Sequence, residues 1–141
     1  MSTLEDLAVK EAKTWIGTPY KHLGRDRFGL DCAGLIIKVA HSLGISDYDT
    51  ANYSRRPNPQ EFLRELRGKM DRVPKGELGH GMVGVFREPS HPCHVGILER
   101  DEEGRLFVIH SYAPARKVVR EPLTEERMSR LLMVFRYRET A

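Results

Sequence analysis

The apolar residues of this chain change their period once, from helical spacing to alternation, and that change bounds the folds open to it. Leu4, Leu7, Ala8, Ala12 and Trp15 recur at helical spacing behind Ser2-Thr3, hydroxyl residues with an acid three positions on, which predicts a capped amphipathic helix. It is expected to end near Gly17, because Pro19 disfavours helical geometry at Thr18. Gly24, Gly29 and several charges make the stretch up to Leu30 a loop. Beyond Asp31, Leu35, Ile36, Val39, Ala40 and Leu43 fall on one helical stripe, closed by Gly44 where a left-handed cap is expected. Residues 46–59 are rich in Asp, Asn, Ser and Pro, a short helix with Phe62, Leu63 and Leu66 inward follows, and 68–81 reads as loop. Residues 82–86, 93–99, 106–112, 117–120 and 131–137 are alternating or β-branched and read as strands. Helices followed by strands predict an α+β domain with an antiparallel sheet.

At 141 residues, with 40% hydrophobic and 30% charged positions, the chain is expected to form one domain, residues 1–141, and not a disordered segment. The 23 Lys and Arg exceed the 20 Asp and Glu by a net charge of +3, but bases are interleaved with acids, so no nucleic-acid partner is expected. No stretch reaches the roughly 20 apolar residues of a membrane-spanning helix, and charges interrupt the first fifteen residues where an export signal would be apolar. The expectation is no membrane insertion, no signal peptide and synthesis in the cytoplasm. Without an export signal the oxidising setting that favours disulfides is missing, so Cys32 and Cys93 are expected as free thiols.

A lone cysteine is by default a small buried hydrophobe. Cys32 differs in lying at a predicted helix N-terminus, where free N–H groups and the helix dipole favour a thiolate. The adjacent Asp31 opposes this through its charge, although as the helix cap its carboxylate is expected to be engaged by the helix N–H groups, and the sequence leaves the net direction open. Ala33 and Gly34 are small enough to let a substrate backbone approach. A nucleophilic thiol needs a histidine base, and that base needs an orienting partner. Of six histidines, His94 and His110 lie on two strands of an expected hairpin with residues 101–104 at its tip; with Arg100 facing Gly104, His94 falls directly opposite His110. A slip by one residue would put the rings on opposite faces. Cys93 and His94 are consecutive in a strand and point to opposite faces, so Cys93 reads as core with Val95 and Ile97. Cys32, His94 and His110 are suitable zinc ligands, yet the paired Cys and His spacings of a zinc motif are absent, so metal is a distant second reading.

Trp15-Ile16-Gly17-Thr18-Pro19-Tyr20, Gly29-Leu30-Asp31-Cys32-Ala33-Gly34-Leu35, His94-Val95-Gly96-Ile97 and Val108-Ile109-His110 resemble, in order, the signature blocks of the NlpC-type cell-wall peptidases. The loop from Tyr20 to Arg25 and the segment from Tyr53 to Pro57 resemble most the small tail-associated peptidases of bacteriophages and gene transfer agents. The resemblance implies a papain-like fold, with the Cys-bearing helix among N-terminal helices on a C-terminal antiparallel sheet. It implies hydrolysis of an amide in a peptidoglycan stem peptide, typically between D-glutamate and the following diamino acid, without metal or cofactor. Cys32 would be the nucleophile, His94 the base and then acid, and His110 the residue orienting His94. Tyr20 matches a tyrosine beside the nucleophile that helps bind the oxyanion or substrate, and the Cys32 N–H is a further donor. Many cellular members carry Asp-Cys-Ser-Gly, whose Asp and Ser help recognise the stem-peptide amine; here Asp31 is kept and Ala33 replaces the serine. The acid that often follows the glycine of the first core strand is also replaced, by Met82 after Gly81.

The subgroup resemblance implies tail proteins as partners, a virion- or tail-associated location and action at the cell wall. Two other functions fit the same residues: a non-catalytic tail module that keeps the peptidase fold, and an acyltransferase that passes the thioester to an amine. The loop at 46–59 is expected to lie over the cleft and gate it.

Overall fold

The computed structural model describes residues 3–45, 64, 68–89 and 91–138. The expected loop at 46–59 and the expected helix around Phe62, Leu63 and Leu66 lie outside them. The observed class is α+β, with two N-terminal helices against a six-stranded sheet in which every neighbouring pair is antiparallel.

Helix α1 spans Leu4–Lys13 and opens with the expected capping box, between Thr3 and Asp6. It buries Ala8, Val9 and Ala12, while Leu7, expected inward, is 40% exposed. The helix also ends earlier than expected: the Thr14 hydroxyl bonds back to the Glu11 carbonyl, and irregular turns carry the chain to Gly17 at φ +93°. A short antiparallel hairpin, β1 (Arg25–Asp26) and β2 (Gly29–Leu30), leads into α2 (Cys32–Ser42). Helix α2 ends as the sequence predicts, with Gly44 at φ +71° and the Ile45 N–H bonded to the Ala40 carbonyl.

The strands are β3 (Met70–Val73), β4 (Val83–Glu88), β5 (His91–Arg100), β6 (Leu106–Tyr112), β7 (Lys117–Pro122) and β8 (Leu131–Tyr137), in sheet order β3-β8-β4-β5-β6-β7. Strand β3 lies where the sequence reads as loop. Its four residues are too few for alternation to register, and pairing with β8 creates it. A five-residue helix, α3 (Glu125–Ser129), also went unread; it is capped by Thr124, which accepts from the Arg127 N–H. Both faces of the sheet are covered. Val85, Val95, Ile97 and Ile109 pack under α1 and α2 with Leu35 and Val39, and Phe86, Leu98, Val108, Leu131 and Val134 form a second cluster. Each such fully buried side chain contributes about 1.5–3 kcal/mol of transfer free energy.

The β5–β6 hairpin differs from expectation in a way that bears on the histidines. Arg100 faces Leu106, not Gly104, so the register is shifted by two residues and His94 and His110 are not directly opposed. The cause is a longer loop, in which Gly104 is left-handed at φ +84° and the Asp101 carboxylate accepts from the N–H groups of Glu103 and Arg105. A shift of two preserves parity, so both histidines still occupy one face.

Polar anchors hold the helices to the sheet. Lys13, in the last turn of α1, lies 2.8 Å from Glu99 on β5, which also takes a 2.6 Å bond from Arg120 on β7. Burial pushes the Glu99 pKa up, but the bonds from Arg120 and Lys13 outweigh it and keep the carboxyl below its ordinary value. On α2, the Ile36 carbonyl accepts a 2.7 Å bond from the buried Tyr137 hydroxyl of β8. Tyr137→Phe should therefore lower unfolding free energy by about 1 kcal/mol in urea titrations, with the slope on denaturant unchanged.

Candidate active site

The first turn of α2 is fixed by the Asp31 carboxylate, which is 2% exposed. Its Oδ1 accepts from the Gly34 N–H at 2.8 Å and from Arg25 Nη1 at 3.0 Å, while Oδ2 accepts from the Leu23 N–H at 2.8 Å. Leu23 sits at φ +63°, a left-handed conformation that costs a leucine about 1–2 kcal/mol, and the bond to Asp31 holds it there. The same loop corrects the reading of Gly34. A Cβ at Gly34 would stand 2.7 Å from the Gly24 carbonyl oxygen and 2.9 Å from Arg25 Nη1, so the missing side chain accommodates this chain's own loop and not a substrate backbone. Ala33 is buried.

Cys32 is the first residue of α2 and 4% exposed. Its thiol takes a hydrogen bond from the backbone N–H of Val95, the residue after His94, so the helix start meets β5 at the histidine. The approach is registered by Ser111 on β6, whose hydroxyl donates to the Leu30 carbonyl at 2.5 Å. Burial pushes the Cys32 thiol up to about 12, and the Asp31 charge adds to this; the N–H groups of Val95, Ala33 and Cys32 pull the other way and do not prevail. The net direction that the sequence left open is therefore upward, toward the protonated thiol. Tyr20 is half-buried and bridges to Leu30, beside the chain entering Cys32, with its N–H bonded to the Arg116 carbonyl. Cys93 is a fully buried free thiol.

Both histidines are buried, and His94 Nε2 lies 2.6 Å from His110 Nδ1. The two rings expected to be neighbours do meet, through a diagonal contact rather than the direct opposition expected. Gly96 makes room for it, since a Cβ there would meet the His110 Cβ at 3.0 Å and a Val108 methyl at 2.6 Å. The contact continues beyond what the sequence reading reached. His110 Nε2 is 2.8 Å from Glu121 Oε1 on β7, and Arg127 Nη1 of α3 stands 3.6 Å from that same oxygen. Tyr112 stacks on His110 with ring centroids 4.6 Å apart and an interplanar angle of 13°. Glu121 was missed because the reading ended that strand at Arg120. Extended by one residue, alternation with Val119 would have pointed to it.

Burial drives the His110 pKa down to about 4 from 6.5, with the Arg127 charge in the same sense and the Glu121 bond and charge opposing. The ring is neutral near pH 7. Among the described residues, no group of three or more His, Cys, Asp and Glu side chains is arranged to hold a metal ion, and no helix is long and apolar enough to cross a membrane.

Residues 17–137 match the signature of the NlpC/P60 family. A search of curated proteins gave no match. Among solved structures, an NlpC/P60 family protein from Bacillus cereus is 24% identical with a TM-score of 0.69, covering 97% of this chain. This chain spans 41% of that protein's length. The NlpC/p60 domain of the peptidoglycan hydrolase SagA is 22% identical with a TM-score of 0.63, over 93% of this chain and 97% of that one. An N-acetylmuramoyl-L-alanine amidase from Bacteroides uniformis is 11% identical with a TM-score of 0.67, over 98% and 100% of the two chains. At these identities the likeness is one of fold.

Because the folded protein binds fewer protons at His110 than the unfolded chain between pH 6.5 and about 4, stability should fall as pH drops through that window. Thermal melts across this range should show the loss, and His110→Asn should flatten it.

Proposed function

Because this chain belongs to the NlpC/P60 family, we propose that it is a cysteine peptidase that hydrolyses an amide bond in peptidoglycan stem peptides, of the D-glutamyl to diamino acid type. The observation that carries the reading is the 2.6 Å contact between His94 Nε2 and His110 Nδ1, next to the strand position where Val95 meets the Cys32 thiol. A nucleophile, a base and the base's orienter are thereby supplied by α2, β5 and β6.

Since Nε2 of His94 is committed to His110, Nδ1 is the nitrogen left for the thiol. The buried thiol stays protonated near neutral pH, so His94 takes its proton as Cys32 Sγ attacks the scissile carbonyl. The resulting oxyanion is received by the backbone N–H of Cys32 and by the Tyr20 hydroxyl. His94 then protonates the leaving amine, the C–N bond breaks and a thioester remains. Water, deprotonated by His94, attacks that thioester; collapse releases the carboxylic acid and returns the proton to Cys32. The steps require neither metal nor cofactor. Asp31 acts by seating the helix start, both its oxygens being occupied within the protein. With Ala33 in place of a serine, recognition of the stem-peptide amine falls to other groups.

The likeness of residues 20–25 and 53–57 to tail-associated peptidases supports a protein carried to the wall by a phage or gene-transfer-agent tail. Tethering raises the local concentration of enzyme at the wall without a dedicated binding module.

Wild-type protein incubated with stem peptides and peptidoglycan fragments should release a new amine and a new carboxylate, detected by mass spectrometry and unaffected by a chelator. Cys32→Ala and His94→Ala should each lower the rate by at least about 10³-fold. Cleavage that survives Cys32→Ala would exclude the thiol mechanism, and a product joined to an added amine would identify acyl transfer instead.

A further inference from the structure

The relay from His94 does not end at His110, and the chemistry of its last member constrains every proton along it. We propose that Glu121 is a positioning residue that sets the tautomers of both histidines, so that His94 presents an unprotonated Nδ1 to Cys32. The inference rests on the reading of Cys32 and His94 as nucleophile and base.

A carboxylate accepts hydrogen bonds and donates none, so the 2.8 Å contact with Glu121 Oε1 requires the proton of His110 on Nε2. His110 is buried and neutral near pH 7 and carries only that proton, which leaves its Nδ1 as an acceptor. The partner of that nitrogen at 2.6 Å is His94 Nε2, which must then be the donor. A neutral His94 with its proton on Nε2 has a bare Nδ1, the form that can take a proton from a thiol. In the opposite arrangement, Nδ1–H of His110 donates to His94 Nε2, the His94 proton sits on Nδ1, and the base cannot act. The two arrangements differ in whether Glu121 has a proton to accept.

The fold keeps Glu121 fit for this task. His110 is opposite Val119 across β6 and β7, so Glu121 is its diagonal neighbour on the same face. Arg127 places its Nη1 3.6 Å from Glu121 Oε1 and is itself held 3.6 Å from Glu88 Oε1 through its Nε, so the carboxylate is flanked by the His110 ring on one side and a guanidinium on the other. The rings packed against His110 among the described residues are those of Tyr112 and His94, and neither is an anion. Among the described residues, Glu121 is thus the acid that bonds to His110.

The test is long-range ¹⁵N–¹H correlation NMR of ¹⁵N-histidine-labelled protein near neutral pH, read beside pH profiles of kcat and KM on a stem peptide. Wild type should show His110 and His94 both protonated on Nε2. Glu121→Leu should move His110 toward the Nδ1–H form and lower kcat by at least about tenfold with little change in KM. Glu121→Gln, whose amide oxygen accepts the same bond, should keep the wild-type tautomers and most of the activity. A wild-type spectrum with His110 protonated on Nδ1 would overturn the assignment without any variant, as would unchanged tautomers in Glu121→Leu. Since the spectra need no substrate, an inactive wild type with both rings protonated on Nε2 would count against the peptidase reading and in favour of this one.

Discussion

The Asp31 carboxylate, almost wholly buried, collects the N–H groups of Gly34 and Leu23 and the guanidinium of Arg25, and Cys32 inherits its position from that knot. Removing a carboxylate from water is costly, and only a full set of donors offsets it. The donors come from two sources, the first turn of α2 and the loop before it, so satisfying the charge also folds the loop onto the helix. The positive φ at Leu23 and the need for a residue without a side chain at Gly34 go with that closure. So does the electrostatic setting of the thiol. Asp31 raises the Cys32 pKa through its charge, while its bond to the Gly34 N–H fixes the helix turn whose Cys32 and Ala33 N–H groups lower it.

Other buried acids act similarly at longer range. Glu99 gathers Lys13 from α1 and Arg120 from β7, joining a helix to two strands. Glu88 on β4 pairs with Arg130 at 3.0 Å and faces Arg127, which brings α3 against the end of the sheet. Buried ion pairs contribute little net stability, because desolvation offsets attraction, but a broken one is costly. Arg127 lies 3.6 Å from the buried Glu88 and 3.6 Å from the partly exposed Glu121, so the docking of α3 and the polar relay from His94 share a residue.

Much of the site could be read before the fold. Cys32 at a helix start, Asp31 as its cap, Gly44 as the left-handed stop and the pairing of His94 with His110 all follow from local rules of spacing and capping. The register of the β5–β6 hairpin was misjudged by two residues because a left-handed Gly104 and an Asp101 turn make a longer loop than the one assumed. The error left the conclusion intact because side chains repeat every two residues along a strand. Leu7 was placed inward by periodicity, but neighbouring elements decide which side of a helical stripe is covered, and Val9 is buried instead.

The sequence by itself determined the order of helices before strands, the capped helix starts and the face on which the two histidines lie. These depend on residues within a few positions of one another or on parity, both of which are written in the chain. Only the tertiary structure decided that the thiol is pushed toward its protonated form, that β3 adds an edge to the sheet and that Glu121 ends the histidine relay. Desolvation depends on everything that surrounds a group, and a contact between β6 and β7 depends on a register that no single segment specifies.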